Sequence, residues 1–234
     1  MMAIPAGAIV LDVGTGTGAL ARPASEAAGP SGVVVRLDPS LAMLRASDTR
    51  GPSRLIVGQA PGLPFAEGTF HAVGASFVVH HCRSYSTALA DMNRVCRSNG
   101  RVGITEWGTM PNLPAQVWKD LVASYVDLQR LQSAFRDLVP WEEWFGSPNN
   151  VERALADAGF TAIEVTTREY TVVVTPDDYV RMKAGGVEGT LIRQMLSETR
   201  WNELRSEAND VFHQQFKDSV TFVRDVHFGV ATKL

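Results

Sequence analysis

The residues with the clearest chemistry lie in one run, Val10-Leu11-Asp12-Val13-Gly14-Thr15-Gly16-Thr17-Gly18-Ala19. A buried-strand pattern leads straight into a GxGxG turn, and a helical pattern follows. Glycine suits such a turn because a side chain would block close backbone approach to a ligand and because some turn positions need positive φ. The N–H groups exposed by the turn and the helix start attract anionic or polar groups. Gly14, Gly16 and Ala19 also satisfy the GxGxxG/A dinucleotide fingerprint, with a ligand-free structural turn as the alternative. Asp38 follows 20 residues after Gly18, in Val35-Arg36-Leu37-Asp38-Pro39-Ser40. A carboxylate there can accept from both hydroxyls of a ribose; Asp38 or Ser40 would equally cap a helix starting at Leu41. These features point to an adenosine-type cofactor at the open ends of a parallel sheet. Proton-transfer candidates are His80-His81, just past the fourth strand, and Glu106, after the fifth. His81 is the preferred base, ahead of Glu106 and His80; helix capping or packing is the alternative for the histidines, and helix or lid pairing for Glu106.

The elements that must position these groups alternate between short Val/Ile-rich runs and helical patterns. Ala8–Val13, Gly32–Leu37, Arg54–Val57, Ala72–Phe77 and Arg101–Thr105 read as buried strands. Leu20–Ala28, Ser40–Ala46 and Ser84–Arg97 carry helical spacing, the last stopping at Asn99-Gly100. A helix over Val151–Ala158, a strand over Thr161–Thr167 and a final strand near Val220–Ala231 complete the pattern. The expected fold is α/β, a doubly wound, mostly parallel sheet with helical cap insertions. The core is expected over 1–108, 149–174 and 219–234, with cap insertions over 109–148 and 175–218.

Composition narrows the function classes. Lys plus Arg total 22 against 25 Asp plus Glu, a net charge of -3, with 45% hydrophobic residues. That excludes a disordered tail or a highly charged nucleic-acid arm, and no basic run suggests DNA or RNA as substrate. No apolar run approaches the roughly 20 residues of a membrane span. The start, MMAIPAGAIV, lacks the basic region of a signal peptide. Cys82 and Cys96 show no CxxC spacing and read as reduced structural thiols, so a cytoplasmic protein is expected. The five histidines show no HxxxH or HExxH spacing, and no metal site is expected. His213 reads as a surface residue and His227 as a packed one.

The total pattern is identified as that of a family. VLDVGTGTG, LDPSLAML, GQAPGLPFAEGTFHAVGASFVVHH and MNRVCRSNGRVGITEW follow in the order found in class I S-adenosylmethionine-dependent methyltransferases. They most resemble the small-molecule branch related to ubiquinone/menaquinone methyltransferases, strongly from Ile9 to Trp107 and weakly beyond. The resemblance implies a Rossmann-like methyltransferase fold and S-adenosylmethionine as cofactor. It implies that Asp12 and the loop of Gly14, Thr15, Gly16 and Gly18 face the methionine half, with Asp12 near its ammonium group. Asp38 should hold the ribose, Pro39 should pack beside the adenine, and Gln59-Ala60 should meet the adenine edge where the family usually has Asp-Ala. Ser76 and Phe77 should meet the amino-acid end. His71 stands where Phe-Asp is common, a change expected to touch only surface or turn packing. Relatives usually carry a helical segment before the first strand, whereas nine residues precede Val10 here. A late chain start, the cap insertions, or a second chain in a homodimer would each account for this.

The resemblance makes the expected reaction methyl transfer to a small, largely apolar or aromatic metabolite. In the W-x-x-W-F cluster, Trp141, Trp144 and Phe145 would share one face of a helix. With residues from Tyr179 to Met182 they either wall an acceptor pocket or pack the cap. Two rival readings are a binding or cyclase-like protein using the same cofactor, and a nicotinamide-dependent reductase.

Overall fold

The computed structural model describes residues 2–47 and 53–234. The described residues form two compact units, one within 1–108, 141–168 and 226–234, the other within 109–140 and 169–225. The first unit carries the alternation read from the sequence: β1 (Ile9–Val13), α1 (Ala21–Ala28), β2 (Val33–Asp38), α2 (Leu41–Ala46), β3 (Ser53–Val57) and β4 (Phe70–Ser76). A 3-10 turn (Val79–His81) then leads to α3 (Tyr85–Val95) and β5 (Cys96–Trp107). After α4 (Leu113–Ala123) and α5 (Leu128–Leu138) come α6 (Glu142–Phe145), α7 (Pro148–Asp157) and β6 (Phe160–Val174). The chain continues through α8 (Pro176–Gly185), α9 (Val187–Met195) and α10 (Glu198–Phe216) into β7 (Val220–Lys233).

The seven strands are ordered β3-β2-β1-β4-β5-β7-β6, so the order reverses beside β1. The pairs among β3, β2, β1, β4 and β5 are parallel, and β7 runs antiparallel to β5. Continuous Val and Ile suit strands buried on both faces, and the reversal opens a crevice at their carboxyl ends. Alternation along β5 is the relevant detail. Val102, Ile104 and Glu106 are buried, whereas Gly103, Thr105 and Trp107 are only partly covered. Register sets Asp12 of β1 beside Arg36 of β2 on one side and Gly74 of β4 on the other.

Loops are tied down by specific pairs. Ser84 caps α3 by accepting the Thr87 N–H, and Asp91 accepts the Gly62 and Leu63 N–H groups at 2.7 Å each. Arg94 then donates to the Leu63 and Phe65 carbonyls. These bonds fix the Leu-Pro-Phe stretch that follows β3.

The second unit has its own core, built from Trp118, Leu131, Tyr179, Ile192, Leu204 and Phe212 among others. Both inserted stretches contribute to it. Its boundaries differ from the expected ones, because residues 141–148 belong with the sheet and the parts of β6 and β7 over 169–174 and 220–225 belong with the helices. Among the described residues, no helix is long and apolar enough to cross a membrane.

Candidate active site

The glycine turn leaves β1 with Gly14, Gly16 and Gly18 all at positive φ (64°, 53° and 89°). A Cβ at Gly14 would lie 2.5 Å from Val78 Cγ2, so the segment after β4 rests directly on the turn. A Cβ at Gly16 would meet nothing within 4 Å, which leaves open space above that peptide. The turn is strapped to β2 and to its own strand. Thr15 N–H donates to the Leu37 carbonyl at 3.0 Å, and the Thr15 hydroxyl donates to Asp12 Oδ2 at 2.7 Å. Gly16 N–H donates to Asp38 Oδ2 at 2.9 Å, and Ser40 N–H donates to Asp38 Oδ1 at 2.8 Å. Ser40, not Asp38, is the residue whose side chain caps α2. A carboxylate has about four acceptor sites, so Asp38 keeps two beyond these bonds.

Asp12 is 1% exposed and its Oδ1 has no hydrogen-bond partner. Burial pushes its carboxyl up to about 7, against the opposing pull of Thr15, the Arg36 guanidinium and the Ala21 amide. Arg36 is itself fully buried, with one bond from Nη1 to Ser47 Oγ at 3.3 Å.

At the ends of β4 and β5, the Ser76 and Thr105 hydroxyls lie 2.9 Å apart, and Phe77 N–H donates to the Thr105 carbonyl. Phe77 adopts φ 56°, a left-handed conformation costly for a bulky residue. Its ring stacks on Trp107 at 3.9 Å and 20°. Trp107 was not among the residues expected at the site; its only sequence signal is its place at the end of the fifth strand. An apolar groove of about 250 Å³, lined by Leu20, Ala24, Ile104, Phe228 and Val230, also reaches Ser76 and Thr105.

The two histidines part company in the 3-10 turn. His80 is 3% exposed and its Nδ1 contacts Oε2 of the fully buried Glu106. His81 is exposed, with its ring 4.3 Å from that of His80. Glu106 therefore meets His80, not the preferred His81. Burial raises the Glu106 carboxyl above its ordinary range, and Oε1 has no partner. His227 engages Thr167 Oγ1 and the Gly146 carbonyl through its two nitrogens, and His213 pairs with Asp177. His71 Nδ1 accepts the Ile9 N–H at 3.1 Å, a structural bond.

The expected acceptor residues are dispersed between two cores. Tyr85 of α3 stacks on Trp144 at 4.7 Å, meets Trp141 edge-on at 4.8 Å and meets Phe145 edge-on at 5.2 Å. Phe145 is wholly enclosed in the sheet core, while Trp141 and Trp144 keep part of their surface. Tyr179 belongs to the other core, stacked on Phe212. Gln59 and Pro39 are exposed and Ala60 is half-buried.

A glycine turn at the carboxyl edge of a parallel sheet, beside the strand-order reversal and an acid closing the next strand, defines a Rossmann-like enzyme of nucleoside-cofactor type. The orphan Asp12 oxygen, the open space at Gly16 and the spare acceptor sites of Asp38 fit an amino-acid-bearing nucleoside such as S-adenosylmethionine. Comparison with known proteins specifies the type. A methyltransferase domain family matches residues 11–104. Demethylmenaquinone methyltransferase of Staphylococcus aureus is 32% identical over 183 residues, covering 73% of this chain and 74% of that protein. The YcgJ protein of Bacillus subtilis superposes with a TM-score of 0.61 at 16% identity, over 99% of this chain and 94% of that one. A Haemonchus contortus phosphoethanolamine N-methyltransferase 2 in complex with S-adenosyl-L-methionine gives 0.55 at 18% identity, over 98% and 49%. The chain belongs to the class I S-adenosylmethionine-dependent methyltransferases and resembles the menaquinone methyltransferases.

Proposed function

We propose that this methyltransferase acts on a small, largely apolar or aromatic acceptor that meets the cofactor at the ends of β4 and β5. Asp12 holds the cofactor's ammonium group, and the Gly14–Gly18 turn lines its methionine half. Asp38 accepts the ribose hydroxyls, Pro39 and Gln59-Ala60 flank the adenine, and Ser76 and Phe77 meet the amino-acid end. Bound S-adenosylmethionine supplies an electrophilic methyl group on a sulfonium sulfur. The chain itself supplies position, since a displacement of this kind depends chiefly on aligned reactants and a dry site. Asp38 already tethers the turn through Gly16, so ribose binding and turn geometry depend on one carboxylate. Glu106 and the 3-10 turn provide further titratable groups at this edge.

The single observation that carries the acceptor reading is the Phe77–Trp107 stack, held at the strand ends by a strained backbone. Aromatic faces at a ligand edge favour flat apolar partners and cations such as a sulfonium. The apolar groove reaching Ser76 and Thr105 agrees with this. Trp141 and Trp144, which retain exposed surface, extend the aromatic lining, and Phe145 supports it from within the sheet core. Free thiols at Cys82 and Cys96 accord with a cytoplasmic enzyme.

The test is a panel of small acceptors incubated with S-adenosylmethionine, with S-adenosylhomocysteine release and product mass as readouts. Flat apolar or aromatic compounds should be methylated, and Trp107→Ala should raise their KM more than tenfold. Preferential methylation of strongly hydrophilic or charged acceptors would overturn the reading. Cofactor binding without any methylated product would favour a non-methylating role.

A further inference from the structure

Asp12 and Arg36 are direct register partners in β1 and β2. Side chains paired in this way project from the same face of the sheet, so the carboxyl and the guanidinium share one side. Val10 and Val34, two positions back on each strand, identify that side, since both pack with Ala21, Ala24 and Ala28 of α1. An arginine on such a face is the opposite of what burial favours. Arg36 is 0% exposed, and Nη1 donates to Ser47 Oγ while Nε and Nη2 have no partner among the described residues. A guanidinium does not give up its proton in a protein, so a full positive charge is enclosed there. Enclosed charge is costly without a counter-charge, and an apolar side chain would hold the position as well or better. Asp12 is the counter-charge at hand. Its Oδ2 accepts from Thr15, its Oδ1 has no donor, and no hydrogen bond joins it to Arg36. The two therefore act on each other through charge, and Oδ1 stays open to a third group. Around Asp12, α1 contributes only the Ala21 amide and β4 presents Gly74, while Asp38, two positions beyond Arg36 on β2, opposes the guanidinium.

We propose that Arg36 is a positioning residue for cofactor binding: its charge favours the ionised Asp12 carboxylate while leaving Oδ1 free to receive the cofactor's ammonium group. The inference rests on the Asp12–ammonium contact proposed above. Burial alone would keep the carboxyl protonated, and a neutral acid attracts an ammonium weakly. A bidentate Arg36–Asp12 pair would ionise the acid but would also fill both of its oxygens. Charge acting across the register pair, with no bond between them, avoids both outcomes. Arg36 also repels the incoming cation, so its loss should lower the ionised fraction of Asp12 without weakening binding to the fraction that remains ionised. Binding at acidic and at alkaline pH separates the two effects.

The first experiment titrates the full chain with ¹³C-labelled aspartate and no ligand, the Asp12 carboxyl signal being identified by its loss in Asp12→Asn. The wild-type midpoint should lie at about 7. In Arg36→Met it should rise by about one pH unit or more, the usual effect of losing a close opposite charge. Arg36→Gln, also neutral but still able to donate to Ser47, should show the same rise and serves where the Met variant does not fold. A changed Tm with an unmoved midpoint in either variant would make Arg36 a merely structural residue and overturn the proposal. The second experiment measures S-adenosylhomocysteine affinity by calorimetry at pH 6 and pH 8.5. Affinity should drop about tenfold between pH 8.5 and 6 in wild type and more than about fiftyfold in Arg36→Met, the ratios set by midpoints one unit apart. The drop should vanish in Asp12→Asn. Equal drops in wild type and Arg36→Met, with wild-type affinity following Asp12, would sink the role of Arg36 alone. A wild-type affinity that ignores the Asp12 titration would sink the ammonium contact itself, and the inference with it.

Discussion

The buried Asp12 carboxyl makes a prediction that can be worked from sign to assay. Burial raises it from the ordinary 3.8 to about 7, despite the Thr15 hydroxyl, the Arg36 guanidinium and the Ala21 amide. Between those values the folded protein keeps a proton that the unfolded chain has lost. Folding stability from this group is therefore fully present below about pH 4 and falls as pH rises to about 7. At 1.36 kcal/mol per pH unit, the change amounts to roughly 4 kcal/mol, and it levels off above pH 7. Asp12→Asn preserves shape and an oxygen for Thr15 but cannot titrate. Glu106 and Asp91 titrate alike in both proteins and cancel in the difference. Urea unfolding at several pH values should show the wild-type stability, relative to the variant, declining by this amount. A cofactor ammonium held at Asp12, as proposed above, would favour the ionised form, so S-adenosylmethionine affinity should weaken up to about tenfold per pH unit below 7 in wild type only. Parallel stability curves for the two proteins would refute the reasoning, because the carboxyl would then titrate normally.

Five variants extend the test to the rest of the site. Asp38→Ala removes a carboxylate held by two backbone N–H groups and should weaken S-adenosylhomocysteine binding at least about tenfold by calorimetry. Gly14→Ala forces a Cβ to 2.5 Å from Val78 at positive φ and should abolish binding and lower Tm. Gly16→Ala, with open space but φ 53°, should cost only about 1 kcal/mol of stability by denaturant titration. Phe145→Ala should destabilise the fold by about 3–5 kcal/mol. Trp144→Ala should instead change acceptor KM while leaving cofactor affinity within about threefold; a Tm loss as large as that of Phe145→Ala would make both residues core.

Local patterns were readable because they are enforced locally. The buried runs became strands, with β1, β2 and β3 within a residue of their expected bounds, since apolar periodicity and β-branching act over a few neighbours. The glycine turn and Asp38 were readable for the same reason, as one short segment carries each. Contacts between distant residues were not readable in this way. Spacing put Trp141, Trp144 and Phe145 on a helix face, but α6 has only four residues and the rings gather around Tyr85 of α3. Cys96 to Gly100 joined β5 instead of ending a helix, because Cys96 pairs with Phe70 of β4. Nothing in the dipeptide His80-His81 says which ring meets Glu106. The 3-10 turn decides that by burying one ring and exposing the other.

Three departures from local rules lie where the parallel strands end. Phe77 sits in a conformation costing on the order of 1–3 kcal/mol. Asp12 Oδ1 and Glu106 Oε1 are enclosed acceptors with no donor, each costing about as much again. Apolar replacements at the two acids, and glycine at Phe77, would give a more stable sheet. Phe77 aims a ring at Trp107, Asp12 lies under the glycine turn, and Glu106 stands behind His80. The three face different partners across one edge of the sheet, so no shared structural need explains them together. A nucleoside cofactor and its acceptor meeting at that edge would give all three a role. That shared role, more than any one contact, is the physical argument for reading the edge as a working active site.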